Sequence, residues 1–407
     1  MRLWAVGTAS GITQSVMGKV ATRPVEDRAQ RPDHIAYGID HELRSFNGDL
    51  LEYAGVLCSK PLATAPRIPV IHSAPNLEYL SDGDVVRLSP DGSVSVLYRR
   101  SSRNNTILTT ERCNSFCLMC SQPPKTADDS YRVRMILRLL ELIDRQAIAL
   151  IVSGGEPTLL GDSFLDIIEK ARTALPQTAL HVLTNGRLFK NKEFATRLAA
   201  IGHHDLMLGI PLYSDLPELH DYVVQASGAF DETIGGFYNL AASGVRLELR
   251  VVLHKQTYER LPKLAEFITR NLPFVEHVAL MGLEMFGFTP RNLDVLWIDP
   301  IDYARQLEDA ALGLATRGMN VSIYNHQLCT IPRSLWPYAR KSISDWKNVY
   351  LPTCDLCGVK EFCGGFFQSA TKRHSAHVAP CVPLSGKSLA YMQQLHNQIA
   401  DSAALPG

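Results

Sequence analysis

The sequence predicts an α/β fold: parallel strands wound as a partial (β/α)6 barrel, a small β-rich region before it and a cysteine-rich domain after it. Three observations predict this. From Asn104 onward, apolar strands alternate with helical patterns through six units. The strands are near-continuous runs of Val, Ile and Leu, as in a sheet buried on both faces. A closed eight-fold barrel needs two more units, so the barrel is expected to stay open. The domain boundaries are placed at 1–103, 104–318 and 319–407.

Each element has its own justification. In residues 1–103 Pro and Gly are frequent, and LSDGDVVRLSPDGSVSVLYRR reads as two short strands around Ser-Pro-Asp-Gly. Residues 21–34 read as a mobile loop. TILTT then forms the first barrel strand, followed by the helix RVRMILRLLELIDRQ with apolar residues three and four apart. AIALIVS and FLDIIEKARTAL make the second unit, ALHVLTNG and NKEFATRLAAIG the third, DLMLGIPL and the helical stretch DETIGGFYNLAASG the fourth. RLELRVVL with YERLPKLAEFITRNL is the fifth, and HVALMGLEMF with YARQLEDAALGLATRG the sixth. NVSIYNH is a further strand leading to Cys329, and DSAALPG reads as a flexible end.

Composition narrows the function. Lys plus Arg and Asp plus Glu are equal at 41 each, so no global charge draws the chain to nucleic acid or an acidic membrane. No window approaches the ~18 apolar residues of a membrane span, and the interrupted amino terminus has no signal-like apolar core. A cytoplasmic protein without nucleic-acid or membrane partners is expected. The nine cysteines fall into two clusters, with Cys58, Cys329 and Cys381 apart. Such clusters read as metal sites rather than a disulfide framework; Cys58 reads as a buried thiol.

Cys113-Asn-Ser-Phe-Cys117-Leu-Met-Cys120 gives C-x3-C-x2-C directly after the first barrel strand. Three thiolates hold three irons of a [4Fe–4S] cubane and leave the fourth open to a ligand. Taken alone, the loop also suits zinc completed by a distant residue. Ser153-Gly154-Gly155-Glu156-Pro157-Thr158 ends the second strand, the edge where parallel β/α folds bind ligands. Its glycines let backbone approach a ligand, and Glu156 and the carbonyls can receive an ammonium group. By itself that motif is also an ordinary turn.

Together these motifs resemble the radical S-adenosylmethionine (SAM) superfamily over residues 104–290. The resemblance implies a SAM-binding [4Fe–4S] cluster on Cys113, Cys117 and Cys120, and cofactor contacts from Gly154, Gly155, Glu156 and Pro157. Met119 stands where relatives carry an aromatic residue near the adenine, and its sulfur can pack on a purine. Thr184 and Asn185 stand in a similar TNG. Pro211 takes the slot of a ribose-binding serine, with Ser214 as a substitute. Arg250 resembles an arginine that pairs with the SAM carboxylate, and an arginine in a buried strand needs a partner.

The tail carries Cys354-x2-Cys357-x5-Cys363, with Cys329 before it and Cys381 after it. This is similar to the twitch form of the SPASM domain. It implies one auxiliary [4Fe–4S] cluster on Cys329, Cys354, Cys357 and Cys363, with Cys381 the alternative fourth ligand and a zinc ribbon the competing reading. His374 and His377 read as ordinary loop histidines. LTTERCNSFCLMCSQPPK, IVSGGEPTLL, NHQLCTIP, SISDWKN and CDLCGVKEFCGGFF resemble the HxsC maturases of His-Xaa-Ser repeat systems. That resemblance implies a ribosomally made precursor peptide with His-Xaa-Ser-like repeats, the partners HxsB and HxsD, and an external donor such as flavodoxin or ferredoxin. The chemistry implied is SAM cleavage to a 5′-deoxyadenosyl radical and hydrogen abstraction, with an oxidative crosslink one outcome. A small-metabolite or RNA substrate, and a non-catalytic cluster scaffold, are the alternatives.

Overall fold

The computed structural model describes residues 3–38, 40–46, 49–62, 67–341, 348–371 and 373–381. The chain divides into two compact units. One comprises the segments up to Ile107, Ser130–Ile151 and Asp166–Thr178; the other comprises Leu108–Asp129, Val152–Leu165 and the chain from Ala179.

The first unit is built on a mixed eight-stranded sheet. Its strands are β1 (Trp4–Val6), β2 (Thr8–Ser10), β3 (Val16–Ala21), β4 (His34–Gly38), β5 (Gly55–Cys58), β6 (Val70–His72), β7 (Val85–Leu88) and β8 (Ser93–Tyr98). The order is β1-β8-β7-β3-β4-β5-β6-β2. Only Gly7 separates β1 from β2, yet they occupy opposite ends of that order, so the sheet curls until its ends meet. A side chain at Gly7 would sit 2.4 Å from the His72 carbonyl oxygen. Inside lie Ile35, Leu57, Ile71, Val86, Leu88 and Val94.

The hairpin expected at Ser-Pro-Asp-Gly is present as β7 and β8, with Gly92 at φ +80°. Of the loop expected at 21–34, residues 22–27 have no helix or strand, and the rest is ordered into a turn and a strand start. Residues 28–33 form a 3-10 turn capped by Asp27, whose Oδ1 accepts from Ala29 N at 3.0 Å, and His34 begins β4. Arg31 is buried there against Glu52, which also pairs with Arg28. A short helix, α1 (Asp40–Leu43), precedes β5, and Cys58 is buried as expected. SISDWKN falls at 342–348 and DSAALPG at 401–407; all but Asn348 lie outside the described residues.

The second sheet has seven strands: β9 (Asn104–Leu108), β10 (Ala149–Ser153), β11 (Ala179–Leu183), β12 (Leu206–Pro211), β13 (Arg246–Leu253), β14 (His277–Gly282) and β15 (Val321–Tyr324). Their spatial order follows the chain, and β11 to β15 pair in parallel. This is the open, partial barrel the sequence predicts, extended by β15. The intervening helices are α2 (Tyr131–Leu142), α3 (Asp162–Ala174), α4 (Lys192–Ala200), α5 (Pro217–Val224), α6 (Ala229–Ala242), α7 (Leu261–Asn271), α8 (Leu293–Leu296) and α9 (Ala304–Ala315). On β13 Leu247, Leu249, Val251 and Leu253 are buried on one face, while Glu248, Arg250 and Val252 share the other. No helix among the described residues is long and apolar enough to cross a membrane.

Candidate functional site

The cysteine loop leaves β9 and is clamped at once to the Gly-Gly-Glu turn that leaves β10. Thr109 N donates to Ser153 O at 2.8 Å, Gly155 N to Thr110 O at 2.7 Å and Glu156 N to Arg112 O at 2.8 Å. Asp129 fixes the outer side, accepting from Thr110 Oγ1 at 3.0 Å and Glu111 N at 2.6 Å. The glycines are required by this clamp. A Cβ on Gly154 would lie 2.8 Å from Thr110 O, and one on Gly155 only 2.2 Å from Arg112 O. The close approach they allow is therefore between two backbones, whereas the sequence suggested backbone against ligand.

Glu156 is fully buried and its carboxylate is filled. Oε1 accepts from Thr158 N at 3.0 Å, Thr158 Oγ1 at 2.7 Å and Thr184 Oγ1 at 2.6 Å; Oε2 accepts from Asn185 N at 2.6 Å. Burial pushes its pKa up and these hydrogen bonds oppose the rise. With about four lone-pair sites on a carboxylate, little capacity is left for an ammonium group. Glu156 instead ties the end of β10 to the Thr-Asn-Gly turn after β11. Pro157 opens the following 3-10 turn and is buried.

The Thr-Asn-Gly turn reaches the cysteine loop from the other side. Asn185 Nδ2 donates to Asn114 Oδ1 at 2.6 Å. Arg187, which sequence reasoning missed, donates through Nη1 to Asn114 O at 2.5 Å and Ser115 Oγ at 3.0 Å. Its Nε reaches Glu232 on α6 at 2.7 Å. The far end of the loop hangs on α5, where Phe116 N and Leu118 N donate to Val224 O and Val223 O, and on Asn292 Nδ2, which donates to Leu118 O at 2.7 Å. Met119 is buried in an apolar cluster with Tyr213, Val223, Val224, Ala229 and Leu296.

Cys113, Cys117 and Cys120 lie within electrostatic reach of one another. Burial pushes Cys113 up to about 11 and Cys117 higher still. Three half-buried thiolates this close are stabilised by bound cationic charge, which ionises coordinating thiols outright. Among the described residues no three His, Cys, Asp or Glu side chains converge on a single ion. A cubane places each thiolate on a separate iron, so three spaced thiols are the donor set it takes. The residues present fit an iron–sulfur cluster.

Two expected contacts change character. Ser214 is fully buried, and its hydroxyl accepts from Leu216 N at 3.1 Å, capping the turn into α5 rather than facing a ribose. Pro211 ends β12 beside Arg250. Arg250 finds its partner within its own strand: Nη1 lies 2.5 Å from Glu248 Oε1, two residues upstream on the same face. The need for a counter-charge is met without a ligand. Glu248 also accepts from His277 Nδ1 at 2.8 Å, and His181 Nε2 stands 3.6 Å away. Burial pushes Glu248 up, but Arg250 and the two histidines hold it well below the ordinary carboxylate range.

In the tail Cys329, Cys354, Cys357, Cys363 and Cys381 each lie within electrostatic reach of others of the five. Cys329 and Cys363 sense each other and Cys354, and Cys363 also senses Cys357. Cys381 senses Cys329, Cys357 and Cys363, and its N–H points at Cys357 Sγ at 3.4 Å. Gly358 N donates to Cys381 O at 3.0 Å, and Tyr350 OH to Cys363 O at 2.7 Å. His374 packs edge-on to Phe366 and contacts Ala370 O through Nδ1 at 3.2 Å. His377 N donates to Ser375 Oγ.

Residues 107–268 match the family model described as Radical SAM superfamily. Among solved structures, SuiB of Streptococcus suis matches at TM-score 0.43 and 17% identity, over 58% of this chain and 51% of SuiB. The chain thus spans about half of SuiB, which has also been solved with S-adenosylmethionine and with the precursor peptide SuiA. Native anSMEcpe with bound AdoMet matches at TM-score 0.46 and 14% identity, over 74% of this chain and 97% of that one. A radical SAM methyltransferase from Sphaerobacter thermophilus matches at TM-score 0.39 and 15% identity, over 61% and 74%. No curated protein matches the chain. With its three-cysteine loop clamped to a Gly-Gly-Glu turn at the end of β10, the segment 107–268 is a radical SAM superfamily domain.

Proposed function

We propose that this chain is a radical SAM peptide maturase of the HxsC type, acting on a ribosomally made precursor with His-Xaa-Ser-like repeats. The observation that carries the enzymatic part is the clamp, which joins the loop bearing Cys113, Cys117 and Cys120 to the Gly-Gly-Glu turn through three backbone hydrogen bonds. The peptide part rests on the sequence runs that resemble that family.

Cys113, Cys117 and Cys120 would hold a [4Fe–4S] cluster, and the carbonyls of the turn at Gly154 and Gly155 would receive the SAM amino group. When bound, the cluster and SAM supply a 5′-deoxyadenosyl radical that takes hydrogen from a carbon of the substrate. The protein's part is placement. Glu156 locks the two turns together, Arg187 and Asn185 fix the loop at Asn114, and Met119 with Tyr213 closes its apolar side against water. Residues 319–407 are read as a twitch-like domain with an auxiliary cluster on Cys329, Cys354, Cys357 and Cys363.

The test is iron and sulfide content with Mössbauer and EPR spectra of anaerobically reconstituted protein, beside the triple Ala variants of each cysteine cluster. About eight irons in the wild type and about four in each variant are expected for two [4Fe–4S] clusters. Reductant-driven formation of 5′-deoxyadenosine, lost only with Cys113, Cys117 and Cys120, marks the reactive site. Absence of iron after reconstitution overturns the enzyme reading. Turnover without modification of a repeat-bearing peptide overturns the HxsC reading alone.

A further inference from the structure

Beside the outer edge of β15 stands a half-buried arginine, Arg340, without a counter-charge among the described residues. Arg340 follows a parallel bridge between Ile323 and Ala339, and its N–H donates to Ile323 O at 2.8 Å. Its Nη1 donates to Pro337 O at 2.7 Å and Ala339 O at 2.8 Å. Nε and Nη2 are buried and have no hydrogen-bond partner. No carboxylate among the described residues pairs with this guanidinium.

Among the described residues its surroundings offer one carboxylate, itself already paired. Tyr324 on β15 lies within electrostatic reach of Arg340, Arg250 and Glu248. The only carboxylate of that group, Glu248, is already committed to Arg250 and His277. Two guanidinium groups thus flank Tyr324 against one carboxylate. Nε and one Nη form the edge of an arginine that takes a carboxylate in two parallel hydrogen bonds. A guanidinium cannot release its proton, so burying that edge unfilled is costly in the free protein.

We propose that Arg340, beside Tyr324, anchors a subsite that takes a carboxylate of the molecule bound in the barrel. The occupant is an acidic side chain or chain end of the substrate, or the carboxylate of SAM. The inference rests on the radical SAM reading only for the identity of that molecule; the carboxylate fork stands on the geometry of Arg340.

The test uses the full chain, anaerobically reconstituted, with N-acetyl-glutamate amide and N-acetyl-glutamine amide as probes in calorimetry and thermal unfolding. The acid is expected to bind and raise the midpoint, and the amide to do neither. Arg340→Met should weaken acid binding at least tenfold while raising the midpoint of the ligand-free protein, because an unpaired buried charge has gone. Arg340→Lys keeps the charge but loses the fork, and should weaken binding in the same direction. Equal responses to both probes, unchanged acid binding in Arg340→Met, or a lower ligand-free midpoint in that variant overturns the proposal. SAM and its decarboxylated analogue then separate the sources. A SAM affinity that falls tenfold in Arg340→Met, with the analogue unaffected, assigns the fork to SAM; an unchanged SAM affinity assigns it to the substrate. Failure of the wild type to cleave SAM removes the radical SAM reading without touching the acid-binding result.

Discussion

Replacing Gly155 by alanine asks whether the clamp between the two loops is what the glycines serve. The added Cβ would lie 2.2 Å from Arg112 O and 2.7 Å from Arg112 C, both backbone atoms that no rotamer can move. Relief requires the turn and the 110–112 segment to part, which breaks Gly155 N to Thr110 O and Glu156 N to Arg112 O. Overpacking of this kind costs about 1–3 kcal/mol, and each lost backbone bond about 0.5–1.5 kcal/mol. Gly155 does not have a positive φ, so alanine recovers about 0.4–1 kcal/mol through the unfolded chain. The net expectation is a loss of about 1–5 kcal/mol in urea unfolding of the cluster-free protein. Gly235→Ala is the control: it lies within α6, its nearest neighbour would be Lys190 Cβ at 3.5 Å, and it should stabilise by about 0.5–1 kcal/mol. If Gly155→Ala unfolds within about 0.5 kcal/mol of the wild type but loses iron or SAM binding, the clamp argument fails and the glycine faces the ligand.

Other perturbations separate the remaining roles. Arg187→Met should cost about 1–3 kcal/mol, because Asn114 O and Ser115 Oγ lose a charged donor while Glu232 keeps Lys190 as a partner, and it should lower iron retention because the cysteine loop loses that anchor; iron per chain after gel filtration reads it. In Glu248→Gln the acid sensitivity of the fold should fall. The depressed pKa of Glu248 contributes stability that is complete above the unfolded value of ~4.3 and is lost as pH drops below it, so the two proteins should converge in acid. His220, His254 and His326 are buried and pushed down to about 4 by burial. Between the unfolded value of ~6.5 and about 4 the unfolded chain binds more protons, so stability should decline steadily as pH falls through that window; a flat urea midpoint there would refute the burial of these rings. Cys329→Ser should remove the second cluster's iron while Cys381→Ser retains it, and the reverse pattern would exchange their roles.

Much of the site was legible because its chemistry is written in short contiguous motifs. C-x3-C-x2-C, Gly-Gly-Glu-Pro and Thr-Asn-Gly each need only a strand end to be placed, and the alternation of apolar strands and helices supplied those ends. Arg187 was not legible, since Asn114 and Ser115 lie more than 70 positions away and Glu232 lies 45 away. The first unit was nearly opaque for another reason. Its strands run three to six residues and are broken by Pro and Gly, too short for a period of two to rise above chance. The closure of its sheet depends on one residue, Gly7, whose role appears only when β6 and β8 stand beside it.

Arg250 shows where a sharper reading of the same residues was available. Residues two apart on a strand share a face, so Glu248 was the first candidate partner for Arg250 before any ligand. The register then brings His277 opposite Glu248, and the barrel interior acquires a paired charge cluster that a search for cofactor contacts overlooks. The same accounting, applied beside β15, leaves Arg340 without a carboxylate among the described residues once Glu248 is paired. Paired charges in the barrel interior are accounted for by the fold, whereas an unpaired one implies something the fold alone does not supply. Assigning ligand contacts in this chain therefore depends less on which polar residues face the interior than on which remain unsatisfied after the protein has paired its own.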